Sequence, residues 1–149
     1  MELERPKSTA KIGTHPIHPM LIPFPIAFLV GTLVADILYS QSNDAFWARA
    51  ATTLLGAGIV MALAAALFGF ADFFGSKRVR ELSHAWQHML GNLLAVVIAI
   101  VNFLLRLGGG PGSIVPTGIA LSAVTVLLLL FTGWRGGDLV YRHGVGTPE

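Results

Sequence analysis

The chain has 149 residues, 54% of them hydrophobic and 12% charged, with a mean hydropathy of +0.69 and a formal net charge of +2. Soluble domains carry roughly 25% charged residues, so water is not this protein's main solvent, and four crossings of about 20 apolar residues each fill nearly the whole length without leaving a separate soluble catalytic domain. The absence of cysteine excludes disulfides, thiolate zinc sites, iron–sulfur ligation and thioether-linked haem, which leaves nitrogen and oxygen ligands for any metal; no basic stripe is interleaved with stacking aromatics, so no nucleic-acid partner is expected.

Residues 1–14 are polar and charged and predict a short mobile arm at the water interface. They are not a signal peptide, because the apolar region that follows contains Asp36, is as long as a full span and leads to no small-residue cleavage pattern. The stretch HPIHPMLIPFPIAF, from His15 to Phe28, reads as an extended entry into the membrane that becomes helical only after Pro25, since proline lacks the backbone donor and restrains the residue before it. A first helix is expected over 25–39 and, after a polar turn at 41–44, a second over 46–74. Gly56, Gly58, Ala62, Ala65, Ala66 and Gly69 give the second helix a small-residue face that a neighbour can approach closely. The charged run from Gly75 to Glu81 precedes a third helix over 81–107. The loop GGGPGS lacks a phosphate-loop lysine, and a fourth helix over 114–134 is expected to loosen at Arg135-Gly136-Gly137-Asp138. The expected fold is an all-α, integral membrane four-helix bundle over 15–143, with 144–149 as a tail.

Eight of the ten basic residues, Arg5, Lys7, Lys11, Lys77, Arg78, Arg80, Arg135 and Arg142, fall on the face that holds both termini in this topology, and only Arg49 and Arg106 fall opposite. The positive-inside rule then places both termini in the cytoplasm. The two halves also look alike in outline. His15 and His18 open the first hairpin and His84 and His88 the second; Asp36 follows His18, and Arg106 follows His88, at the same spacing of 18 residues. A parallel duplication of one hairpin accounts for this, and it predicts that Asp36 and Arg106 pair.

All five histidines lie on the cytoplasmic side of this topology. His84 and His88, four apart, share one helical face that Arg80 and Asn92 extend by a turn in each direction. Two imidazoles at that spacing can hold one metal together, or one can ligate haem while the other supports it. His18, His84, His88 and His143, with Asp72 or Asp138, are the candidate metal ligands; an interfacial-anchor role competes with this for each histidine, most strongly for His15 and His143. Arg80, Arg135 and Arg142 can face haem propionates, and these three with Arg78 can equally serve as topology determinants facing lipid phosphates. Trp86, Trp134 and Tyr141 read as an aromatic belt, and Asp138 can pair with Arg142 at i,i+4. No nucleophile–base pair or carboxylate pair is available for a stand-alone enzyme.

The motifs HPxHPxLIPFPIAF, HAWQHMLGN and TGWRGGDLVYRHGVG together resemble the bacterial membrane family called domain of unknown function 2231, over nearly the whole chain. The resemblance implies a four-helix inner-membrane domain and, because related domains occur fused to Rieske-type iron–sulfur or cytochrome modules, redox partners. It also carries motif histidines onto His18, His88 and His143, with Asn92 and Asp138 beside them. This chain departs from the pattern at Pro23, where relatives often have histidine, and at Asp138, where they often have glutamate.

Three functions compete on this reading. In the first, a haem b lies between His88 and either His18 or His143, with Arg80, Arg135 or Arg142 at its propionates. The second is a non-haem metal site built from the histidines and aspartates, and the third is an interaction subunit without cofactor, docking a partner or a second copy of itself through helix two.

Overall fold

The computed structural model describes residues 8–147. Within them the chain forms a two-stranded ribbon of β1 (Lys11–Ile12) and β2 (His15–Pro16), then α1 (Ile17–Leu21), α2 (Pro23–Ser42), α3 (Ala45–Gly75), α4 (Lys77–Arg80), α5 (Ser83–Gly109), a tight turn over Gly110–Ser113, one π-helical turn over Ile114–Gly118, and α6 (Ile119–Tyr141). Four of these helices are long, the number expected.

Helix begins well before Pro25. Pro19 sits in the first turn of α1, and Pro23 and Pro25 in the first turn of α2, where a backbone N–H has no intrahelical acceptor and its loss costs little. Ile22 bridges the two segments, donating to the His18 carbonyl and accepting from Ile26. Asn43, in the left-handed region at φ 54°, ends α2 with its N–H on the Tyr39 carbonyl, and Asp44 caps α3 by accepting from the Phe46 N–H. At 31 residues α3 is about 46 Å long, more than the roughly 30 Å of a hydrocarbon core, and fits only tilted.

The fourth helix does not loosen at residues 135–138 but continues to Tyr141. Unravelling there would leave carbonyls without partners at membrane depth. It closes further on instead: Gly144, at φ 64°, allows the Val145 N–H to return to the Leu139 carbonyl. The arm is likewise tied down from Ser8 onward, where the Ser8 hydroxyl and the Thr9 and Ala10 N–H groups donate to Oδ1 of Asp72 and the Thr9 hydroxyl donates to the Ala71 carbonyl. The charges expected on Glu2, Glu4, Arg5 and Lys7 lie outside the described residues.

Helix α2 packs along α3 and α5 along α6; the two hairpins then meet through α2 with α6 and α3 with α5. Buried apolar residues between the helices are largely alanines, including Ala35, Ala51, Ala65, Ala95 and Ala99, which lets the backbones approach closely. Leu29, Leu55 and Ile59 pack with Ala99 midway, and Phe73, Val79, Ala85 and Leu139 plug the histidine end. Large apolar side chains such as Val60, Leu67, Leu104, Leu127 and Leu130 point outward. Three stretches are long and apolar enough to cross a membrane: Ile17–Ser42, Ala45–Gly75 and Ser83–Tyr141. The last folds back on itself, since Asn102 donates to the Gly118 carbonyl and His88 to that of Thr132, and so contains both α5 and α6.

The pairing of Asp36 with Arg106 is present. Nη1 and Nη2 of Arg106 meet the two Asp36 oxygens at 2.7 and 2.8 Å, and both side chains are essentially buried. Ser122 Oγ donates to Asp36 at 2.6 Å, and Nε of Arg106 donates to Asn102 Oδ1 at 3.0 Å. Low dielectric strengthens such a satisfied network and makes an incomplete one costly.

Candidate functional site

His18 leaves α1 toward α3, where its Nδ1 donates to the Ala65 carbonyl at 2.7 Å. His88 leaves α5 toward α6 and makes the matching bond from Nδ1 to the Thr132 carbonyl at 2.8 Å. A carbonyl only accepts, so each Nδ1 carries a proton and Nε2 is the ring nitrogen left for a further partner. Each imidazole also lies against a glycine: a Cβ at Gly69 would come within 2.9 Å of the His18 ring, and one at Gly136 within 2.9 Å of the His88 ring. Glycine at these two places is what allows the helix to touch the ring. The two rings stand 6.1 Å apart, centre to centre, with planes at 89°.

Asn92, one turn along α5, holds His88 in place. Its Nδ2 donates to the His88 carbonyl at 2.8 Å, and its Oδ1 accepts from the Thr132 hydroxyl at 3.0 Å. The same Nδ2 lies 3.4 Å from Nδ1 and 3.3 Å from Nε2 of the ring. Near-equal distances to both nitrogens put the amide beside the ring rather than in line with Nε2, which stays free.

Both rings line a cavity between the hairpins that is partly open to the outside. Its walls come from both hairpins, with Ile22, Ile26 and Phe70 on one side and Met89, Leu93 and Leu129 on the other. It is therefore a largely apolar gap along the plane where the hairpins meet.

The other expected ligands lie elsewhere. His84 and His143 form a separate pair, ring centres 5.3 Å apart, next to Asp138, whose Oδ2 is 3.8 Å from His84 Nε2. Arg142 reaches Asp138 at 3.0 Å and Arg135 at 3.6 Å. Nε of Arg135 and Nε2 of His143 are buried without a hydrogen-bond partner. Asp72 is turned to the N-terminal segment, Arg80 donates to the Phe74 carbonyl, and His15 is exposed beside Thr14. Among the described residues no group of three or more His, Asp or Glu side chains can hold a metal ion. The set His18, His84, His88, His143, Asp72 and Asp138 is thus divided among three places, because helix spacing fixes depth and face but not which neighbour a side chain meets.

Sequence reading missed Thr132, Gly69 and Gly136 as parts of this site. The signals were weak: a threonine in an apolar helix, a glycine that read as part of a packing seam, and one that read as the end of a helix.

A family model described as predicted membrane protein (DUF2231) matches residues 14–149. No curated protein and no solved structure matches.

Proposed function

The chain belongs to the DUF2231 family of predicted membrane proteins, and on that footing we propose that it is a small membrane redox subunit holding one haem b between His18 and His88. The distance between the rings carries this reading. The two rings stand 6.1 Å apart, centre to centre, and both line one cavity, so His18 and His88 would be the pair to hold one group together. Both Nε2 nitrogens are free, and both Nδ1–H groups are fixed by carbonyls, the outer hydrogen bond that orients metal-bound histidine generally.

The number of ligands favours haem over a bare ion. Transition-metal ions in proteins take three or four protein donors, whereas a porphyrin brings four nitrogens and needs one or two from the chain. A largely apolar gap between two hairpins also suits a flat macrocycle better than a hydrated ion. Haem bound there supplies one-electron transfer. His18 and His88 would hold it, with Asn92 and Thr132 keeping His88 in orientation, and the apolar walls would exclude water from the site. Arg135, next to the glycine that touches His88 and with an unpartnered Nε, is assigned to a propionate; Arg80 and Arg142 are engaged elsewhere.

The duplication belongs to the same proposal. His18 and His88, like Asp36 and Arg106, are 70 residues apart, and each histidine bonds a carbonyl on the second helix of its own hairpin. Two matching half-sites, one in each hairpin, would supply the two histidines that hold the group. The basic bias toward one face supports an inner-membrane orientation with both termini cytoplasmic, which puts the haem within reach of cytoplasmic or membrane redox proteins.

The test is a dithionite-reduced minus oxidised visible spectrum of the full chain, purified in mild detergent from haem-replete cells. Sharp bands of six-coordinate haem, lost in both His18→Ala and His88→Ala, are expected. A flat wild-type spectrum, or bands that survive either substitution, overturns the reading and leaves a cofactor-free interaction subunit.

A further inference from the structure

At the end of the helices that carries Asp36 and Arg106, a second, open recess lies between the start of α3 and the end of α5. Its polar lining is Arg49, Thr52, Thr53 and Arg106, and its floor is Gly110–Pro111; no carboxylate lines it. Arg106 has five N–H groups. Four of them are engaged: two with Asp36, one with Asn102 and one with Ser122. The fifth, on Nη1, has no partner among the described residues. Among the described residues Arg49 makes no ion pair, and the Thr53 hydroxyl makes no hydrogen bond. Thr52 already donates to the Ala48 carbonyl at 3.0 Å, so its oxygen can only accept.

A cavity that presents two guanidinium groups and a free hydroxyl, with no acid, is matched to an oxyanion. Its charge also follows. Asp36 neutralises Arg106, so Arg49 alone leaves the cavity with one net positive charge, which suits a monoanion better than a dianion. We propose that this cavity binds a monoanionic phosphate group, carried either by the phosphodiester of a membrane lipid or by free phosphate. Arg49 supplies the charge, and the fifth N–H of Arg106 and the Thr53 hydroxyl set the orientation. The site is independent of the haem: it lies at the Asp36–Arg106 end and shares no lining residue with the histidine cavity.

The experiment uses the full chain in a phosphorus-free detergent. Native mass spectrometry measures retention of phosphatidylglycerol added in mixed micelles, and Trp47 fluorescence, in a Trp86→Phe, Trp134→Phe background, follows a titration with inorganic phosphate. Arg49→Gln is the main variant because Arg49 is exposed, so its loss is expected to leave the fold intact; Lys77→Gln, in α4, controls for general charge. One lipid per chain, bound about tenfold more weakly in Arg49→Gln and unchanged in Lys77→Gln, supports the lipid source. A Trp47 response to phosphate alone, lost in Arg49→Gln, supports the free anion. Equal retention of lipid in wild type and Arg49→Gln together with no Trp47 response to phosphate overturns the proposal.

Discussion

Replacing Arg106 with methionine tests whether one buried ion pair holds the two hairpins together. In the native chain Asp36 receives two N–H bonds from Arg106 and one O–H bond from Ser122, at no exposure to solvent. The substitution leaves the carboxylate with the Ser122 bond alone. Two magnitudes compete here. An ordinary hydrogen bond between membrane helices contributes about 0.6 kcal/mol, whereas breaking a buried ion pair from one side costs about 3–5 kcal/mol, roughly 150- to 5000-fold in the unfolding constant. Since both charged side chains are at most 1% exposed, the larger figure applies. Asp36→Leu with Arg106→Met removes both charges and is expected to regain most of the loss, falling short by about 1–3 kcal/mol for the partners left on Asn102 and Ser122. Reversible unfolding in mixed detergent micelles, followed by helical circular dichroism, measures both. If Arg106→Met lies within 1 kcal/mol of wild type, or the double variant is no better than the single one, the pair is not what couples the hairpins.

Gly136→Ala drives a Cβ to within 2.9 Å of the His88 ring, so it is expected to displace the imidazole, cost about 1–3 kcal/mol of stability and weaken or shift the haem bands; Gly69→Ala is expected to do the same through His18, and unchanged spectra in both would refute the close contact. His84→Ala is expected to leave the visible spectrum as it is, since His84 pairs with His143 beside Asp138 rather than lining the cavity; loss of the bands would move the axial role to His84. Asp72→Ala removes the acceptor of three donors from Ser8, Thr9 and Ala10, and limited proteolysis is expected to cut the N-terminal segment faster by an order of magnitude or more. Equal cutting rates would mean that the ribbon and not Asp72 holds the segment.

The four long helices, the turns between them and the pairing of Asp36 with Arg106 were legible in the sequence. Apolar length fixes a crossing, glycine and polar runs fix where it ends, and a buried acid and base at equal spacing in two similar hairpins have no better partner than each other. His18, His88 and Asn92 were legible as candidates for the same reason, since polar side chains at membrane depth need a purpose. Helix boundaries near proline and glycine were less legible. Proline is tolerated in a first turn, and α6 passes through Gly136 and Gly137 because its carbonyls have no water to turn to. Only the tertiary structure decided which histidines meet. Periodicity gives each side chain a depth and a face, but whether His88 faces His18 or His143 depends on how two hairpins rotate against each other, and that is set by alanines and glycines whose small size the sequence shows without showing their neighbours.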